Sequence, residues 1–206
     1  LLSKVSEIIL SRFASTYWRY RHLWDRNWAE SYKSDESLKH PHRQLILKAI
    51  PNYEPIESVL EIGCGGGSNL YLIGKQYPDS YIYGYDVSPE AIRTAKTFLY
   101  KYRKHFIYKE IDAIHPVDIV LTDATAIYVS DRNIKSFIER LKKLSEKALI
   151  LCEWHSDEGP CFKHGHWVHN YKNLLPGSKI TKLKTEDWPE SPEWQEYGHI
   201  ITYETS

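Results

Sequence analysis

An apolar run, Val59-Leu60-Glu61-Ile62, passes directly into Gly63-Cys64-Gly65-Gly66-Gly67, and a second run, Tyr81-Ile82-Tyr83-Gly84-Tyr85, closes on Asp86. Few architectures accommodate that order of strand, glycine turn, helix, strand and acid. Glycines at the end of a buried strand let the backbone turn tightly and approach a ligand, and an acid about 20 residues further on can accept hydrogen bonds from both hydroxyls of a ribose. The expectation is a nucleoside-bearing ligand at the carboxyl ends of a parallel sheet.

Charge narrows the choice of ligand. The third glycine of a dinucleotide fingerprint would fall at Ser68, and Glu61 points a carboxylate at the place where a pyrophosphate would sit. A cationic nucleoside suits the site better. The stretch resembles the class I S-adenosylmethionine (SAM)-dependent methyltransferases, whose E/D-x-G-x-G-x-G motif is matched by Glu61, Gly63, Gly65 and Gly67, with Asp86 as the second-motif acid. The resemblance implies SAM as cofactor and an α/β, Rossmann-like, doubly wound sheet of seven mostly parallel strands with a C-terminal antiparallel hairpin. It also implies cofactor contacts from Glu61, Gly63, Cys64, Gly65 and Asn69 around the first turn, and from Asp86 and Val87 after the second strand.

Three further positions follow from the same resemblance. Val117 to Ala124 resembles the family's fourth motif, which turns Asp123 toward the amino-acid part of the cofactor, and Asp112 stands at the position of the adenine-contacting acid. His40-Pro41-His42-Arg43 resembles the N-P-L-R element of the ubiquinone-pathway O-methyltransferases, whose arginine grips the cofactor's carboxylate; Arg43 inherits that role, although His40 and His42 replace Asn and Leu.

Local patterns supply the remaining elements. Ser88-Pro89 reads as an N-cap and first helical residue, followed by Ile92, Ala95 and Leu99 at helical spacing to about residue 102. Val117–Thr122 and Ala148–Trp154 read as doubly buried strands, and Ile134, Phe137, Ile138, Leu141 and Leu144 as one face of a helix. Lys179–Thr185 and Tyr197–Tyr203 read as the closing hairpin. Only five residues separate a third strand at Phe106–Ile111 from Val117, whereas a parallel crossover normally takes a dozen or more, so a shortened third strand and crossover are expected.

Composition bounds what else the chain does. At 206 residues, 42% apolar and 26% charged, it fits one compact domain with an N-terminal appendage. Equal numbers of Lys plus Arg and Asp plus Glu, 27 each, leave no electrostatic footprint of a general nucleic-acid binder. There is no apolar run of membrane-spanning length and no secretory leader, and three irregularly placed cysteines frame no disulfide network; a cytoplasmic protein is expected.

Residues 1–44 read as an aromatic helical lid, with Trp24, Trp28 and Tyr32 at i, i+4 and i+8 and with Arg12, Arg19, Arg21 and Arg26 interleaved; residues 45–206 read as the SAM-binding domain. His155, just past the fifth strand, is the candidate general base, because a neutral imidazole is available near pH 7. Tyr128, His166 and Trp167 are the candidate walls of an acceptor pocket. Cys152, His155, Cys161 and His164 have a superficial zinc spacing, but a five-residue loop would have to bring four ligands into a tetrahedron, so no metal is expected. The function expected is transfer of a methyl group to an oxygen or nitrogen of a small-molecule acceptor. The alternatives are a non-catalytic SAM-binding sensor or scaffold and another nucleoside-cofactor enzyme of the same fold.

Overall fold

The computed structural model describes residues 14–23, 25, 27–102, 104–108 and 114–205. Strands β1 (Ser58–Ile62), β2 (Tyr81–Tyr85), β3 (His105–Tyr108), β4 (Val117–Asp123), β5 (Ser145–Trp154), β8 (Lys179–Lys182) and β9 (Gly198–Glu204) form one sheet in the order β3-β2-β1-β4-β5-β9-β8. The first five pair in parallel, and β9 runs antiparallel to both β5 and β8. The strand order reverses between β1 and β4, which opens a crevice at their carboxyl ends where ligands of such sheets bind. Strands β6 (Cys161–Lys163) and β7 (His166–Val168) make a separate two-stranded ribbon.

Burial on both faces explains the near-continuous apolar runs of the central strands. Helix α4 (Pro41–Ala49) and helix α5 (Ser68–Gln76) cover one face through Ile46, Leu47, Leu70 and Ile73, which pack with Val59, Ile82 and Ile119. On the other face, α7 (Asp131–Leu144) lays Ile134, Ile138 and Leu141 against Leu60, Val120 and Leu149. Each such fully buried side chain contributes about 1.5 to 3 kcal/mol. Helix α6 (Pro89–Phe98) starts as its sequence predicts, with the Ser88 hydroxyl accepting from the Ala91 N–H at 3.3 Å. It stops four residues before the expected end, because Leu99 caps it and Tyr102 folds back to donate to the Tyr71 carbonyl at 3.0 Å.

The third strand is shorter than Phe106–Ile111, running only from His105 to Tyr108. Eight residues, 109–116, then lead to β4 across two intervening strands. Residues 109–113, on which the expected shortened crossover falls, lie outside the described residues. Asp112 lies in this connection, outside the described residues.

The N-terminal part differs from the single aromatic helix expected. It consists of α1 (Ala14–Tyr20), a 3-10 turn at Arg21–Leu23, α2 (Trp28–Ser31) and α3 (Asp35–Lys39). Two local forces break the helix: Ser34 caps α3 by accepting from the Ser37 N–H at 3.1 Å, and Trp28 and Ala29 turn inward to pack with Ala91 of α6. Trp24, Arg12 and Arg26 lie outside the described residues. Helix α4 runs across the 44/45 boundary. At the other end, β8 and β9 pair as expected, but a 3-10 turn at Thr185–Asp187 and helix α9 (Pro192–Tyr197) intervene, with Trp188 stacked on Trp194 at 3.9 Å.

Candidate functional site

A cavity of about 290 Å³ opens at the carboxyl ends of β1, β2 and β4. Its floor is the glycine turn, where Gly63, Gly65 and Gly67 all take left-handed φ values of +78°, +51° and +91°. Close approach adds to this requirement at Gly63, where a Cβ would meet Thr125 Oγ1 at 2.0 Å. The turn is pinned to β2 from both sides. The N–H groups of Gly63 and Cys64 donate to the Tyr85 carbonyl at 2.7 and 3.0 Å, and the Gly65 N–H donates to Asp86 Oδ2 at 2.9 Å. Asp86 Oδ1 accepts from the Ser88 N–H at 2.8 Å. Burial raises the Asp86 carboxyl above its usual range, although the Ser88, Gly65 and Val87 N–H groups oppose that shift.

Two carboxylates meet behind the turn. The amide of Asn69, the second residue of α5, donates to Glu61 Oε1 at 2.7 Å and to Asp123 Oδ2 at 2.9 Å. Arg43 adds a bond from Nη1 to the same Asp123 oxygen at 3.0 Å and another to Asn69 Oδ1 at 2.8 Å, while its Nε donates to the Ser37 carbonyl at 2.9 Å. His42 supplies a third donor to Asp123 Oδ2, at 3.0 Å. Burial by itself would raise Asp123, but the charges and hydrogen bonds of His42, Arg43 and Asn69 hold it well below the usual carboxylate range. Glu61 goes the other way: burial pushes it up to about 8, reinforced by the charge of Asp123 and opposed by Asn69 and Arg43. Among the described residues, Glu61 Oε2 and Asp123 Oδ1 are buried without a hydrogen-bond partner.

The other half of the cavity is aromatic. Trp18, Trp28 and Tyr32 come from the N-terminal part, and Tyr128, Val129 and Phe137 from the region after β4. Trp18 meets Trp28 at 5.3 Å and Tyr128 at 5.2 Å between ring centres. The N-terminal part is tied to the glycine turn by Ser68, whose hydroxyl donates to the Tyr32 carbonyl at 2.5 Å. Beneath Tyr128, the loop from Thr125 is held by Glu153, which accepts from the N–H groups of Thr125 at 3.0 Å and Ile127 at 3.2 Å and from the Thr122 hydroxyl at 2.7 Å. His169 Nε2 donates to the Val129 carbonyl at 3.0 Å on the same loop.

The predicted residues thus divide. Arg43, Glu61, Gly63, Cys64, Gly65, Asp86, Val87, Asp123 and Tyr128 line the cavity, and Asn69 stands one layer behind, bonded to three of its side chains. His155 does not line it. Its imidazole is buried beside α8 (Tyr171–Leu174), where Nδ1 accepts from the Tyr171 N–H at 3.1 Å and Nε2 donates to Asp157 at 3.1 Å. His166 meets the outer side of Tyr128 at 5.0 Å, and Trp167 packs on Phe162 at 5.2 Å and His169 at 6.3 Å. The β6–β7 ribbon is therefore a support for the aromatic wall and not the wall itself, which Val129 and Phe137 complete. Among the described residues, no three His, Cys, Asp or Glu side chains are grouped to hold a metal ion. Sequence reasoning did not assign His42, Thr125 or Glu153. Glu153 alone left a signal, an acid inside an apolar strand that must find donors.

Residues 60–146 match the model of a methyltransferase domain family. The fold matches a SAM-dependent methyltransferase from Aquifex aeolicus at a TM-score of 0.62 and 18% identity, over 86% of this chain and 97% of that one. Residues 60–146 thus resemble a methyltransferase domain, and the fold is the one these proteins share. The fold also superimposes on that of the magnesium protoporphyrin IX methyltransferase of Synechocystis PCC 6803 with bound S-adenosylhomocysteine (SAH), at a TM-score of 0.65 and 16% identity over 95% of this chain and 99% of that one. Over 40 residues the chain is 45% identical to O-methyltransferase 3 of Dictyostelium discoideum; the match covers 19% of this chain and 9% of that protein. No helix among the described residues is long and apolar enough to cross a membrane.

Proposed function

We propose that the protein transfers a methyl group from SAM to an oxygen or nitrogen of a small-molecule acceptor held by the aromatic wall. The observation that carries this reading is the pair of buried, unpartnered oxygens, Glu61 Oε2 and Asp123 Oδ1, on a cavity floored by left-handed glycines. An unpaired buried acceptor costs roughly 1 to 3 kcal/mol, and an ammonium group placed there removes that cost. A pyrophosphate would be repelled by the ionised Asp123, and Ser68, committed to the Tyr32 carbonyl, fills the place of a dinucleotide glycine. Asp86 already directs both its oxygens at backbone N–H groups and would exchange or share them with ribose hydroxyls.

Bound SAM supplies a methyl group on a sulfonium, and the protein's task is to align the acceptor nucleophile with it. Trp18, Trp28, Tyr32, Tyr128 and Phe137 present flat apolar surface for that purpose, and such positioning lowers a barrier by about 7 to 11 kcal/mol. Burial pushes the Tyr128 phenol above its usual range, so it orients the acceptor as a neutral donor. Among the described residues no imidazole lines the cavity, and His155 is turned into the support behind it. Positioning therefore carries the catalysis, with the acceptor's proton passing to solvent. Residues 1–44 serve as a lid, supported by the three aromatic side chains they lend to the cavity. Free Cys64, Cys152 and Cys161 support work in a reducing compartment such as the cytoplasm.

The test is incubation with methyl-labelled SAM and a panel of small hydroxylated and amino-bearing aromatic acceptors, with labelled product separated by chromatography. Transfer to at least one acceptor, weakened in Trp18→Ala through a higher acceptor KM at equal cofactor occupancy, supports the reading. Tight SAM binding with no acceptor methylated leaves a sensor module.

A further inference from the structure

His42 and its neighbours form a chain that the residues lining the cavity do not require. Glu190, in the loop before α9, contacts His40 Nε2 through its Oε1 at 2.5 Å. The two imidazoles of His40 and His42 meet through their Nδ1 atoms, and His42 Nε2 bonds Asp123 Oδ2 at 3.0 Å. Trp188 stacks on the His42 ring at 4.1 Å and meets His40 at 4.9 Å, fixing both planes. The chain thus runs from an exposed acid, Glu190, to a buried one, Asp123.

Counting protons gives this chain a charge. An ionised carboxylate only accepts, so both Nε2 atoms carry hydrogen, and the Nδ1 to Nδ1 contact needs one more. Three protons on two rings is one more than two neutral imidazoles hold. We propose that His42 is a positioning residue for cofactor binding: with His40 and Glu190 it holds one shared extra proton and fixes Asp123 Oδ2, leaving Oδ1 for the cofactor's ammonium group. The proposal rests on the reading of the site as a SAM site.

The surroundings agree with where that charge sits. Facing His42 are Asp123 from β4, Arg43 and His40 from its own helix start, and Glu190 beyond His40, with Glu61 behind Asp123. Burial lowers the His42 imidazole despite Asp123, and His40 is the ring nearer solvent and in contact with Glu190. Glu190, although raised by its own burial, is held below the usual range by the bond and charge of His40 and by His42, so it stays an acceptor. When pH rises and the extra proton leaves, the link that breaks at least cost is the exposed one to Glu190, because water replaces it there.

Two substitutions separate positioning from packing. His42→Phe keeps the ring on Trp188 and removes the donor; His42→Gln places an amide N–H near the position of Nε2. Calorimetric titration with SAH is expected to show about tenfold weaker binding in His42→Phe and binding within about threefold of wild type in His42→Gln, both variants retaining a cooperative thermal transition. Proton–nitrogen spectra of the imidazoles at pH 7 should show both Nε2 atoms protonated in the wild-type protein, and in Glu190→Gln the charged signal should disappear at lower pH. Equal, wild-type-like affinity in the two His42 variants, or two neutral rings at pH 7, overturns the proposal. Wild-type protein that fails to bind SAH overturns the site reading instead, and the imidazole spectra still read the chain.

Discussion

The two halves of the cavity are built by different means. The half proposed for the cofactor is framed by backbone: glycines in left-handed conformations, N–H groups of Gly63 and Cys64 on the Tyr85 carbonyl, and Asp86 locked to Gly65 and Ser88. The half proposed for the acceptor is side chain, assembled from Trp18, Trp28 and Tyr32 at one end of the chain and Tyr128 and Phe137 about a hundred positions later. A backbone site tolerates almost no change, because every substitution moves the main chain. An aromatic wall tolerates exchange of one ring for another, and with it a change of acceptor. The contrast also explains why the cofactor class follows from the residues whereas the acceptor does not.

The largest expected effect lies in the cofactor half. Gly63→Ala combines a φ of +78° with a Cβ 2.0 Å from Thr125 Oγ1, and should lower the unfolding free energy by about 2 to 4 kcal/mol in a denaturant titration, with SAH binding weakened at least about a hundredfold. A near-native alanine variant would mean that the turn is not held as described. In the acceptor half, Trp18→Ala should raise acceptor KM about tenfold while the SAH dissociation constant stays within about threefold, a split that the backbone half cannot produce. Equal losses in both constants would merge the two halves into one.

Proton release sharpens the comparison further. Glu61 sits at about 8 in the folded protein against an ordinary 4.5, so below about pH 8 the empty site holds a proton that the unfolded chain has lost above 4.5. Stability from this group is fully present below pH 4.5 and drains away as pH rises toward 8. Glu153, raised by burial to about 7, acts in the same direction. An ammonium group favours the ionised Glu61, so binding SAH at pH 7 should release about one proton, read as the dependence of calorimetric enthalpy on buffer, and Glu61→Gln should abolish the release. The smallest effect is expected at His155→Ala, where turnover changes less than about threefold once folding is matched, since that imidazole faces Asp157 and Tyr171. A thousandfold loss would restore it as a catalytic base.

Much of the frame was legible because it depends on residue types with few substitutes. Gly63, Gly65 and Gly67 announce their own conformations, Ser88-Pro89 announces a helix start, and the apolar runs of β4 and β5 announce strands buried on both faces. The acid at the end of β2 was placed by distance alone. What stayed hidden depends on long-range assembly. The donor to Asp123 from His42 spans 81 positions, and the Glu190 to His40 contact spans 150. No local pattern encodes either. His155 shows the converse limit: its position after β5 is right for chemistry, but its side chain alternates away from the crevice, where Asp157 and the α8 N-terminus hold it. The aromatic character of the first forty residues was also legible, although Ser34 and the inward turn of Trp28 cut the helix that was to carry it.

The central claim is that the glycine turn together with the side chains of Glu61, Asp86 and Asp123 selects a cationic nucleoside. Calorimetric titration of the wild-type protein and Asp86→Ala with SAM, SAH and NAD tests it most directly. Micromolar binding of SAM and SAH, at least about a hundredfold weaker in Asp86→Ala and absent for NAD, is the predicted result. Binding of NAD comparable to that of SAH, or SAH binding indifferent to Asp86, would contradict it.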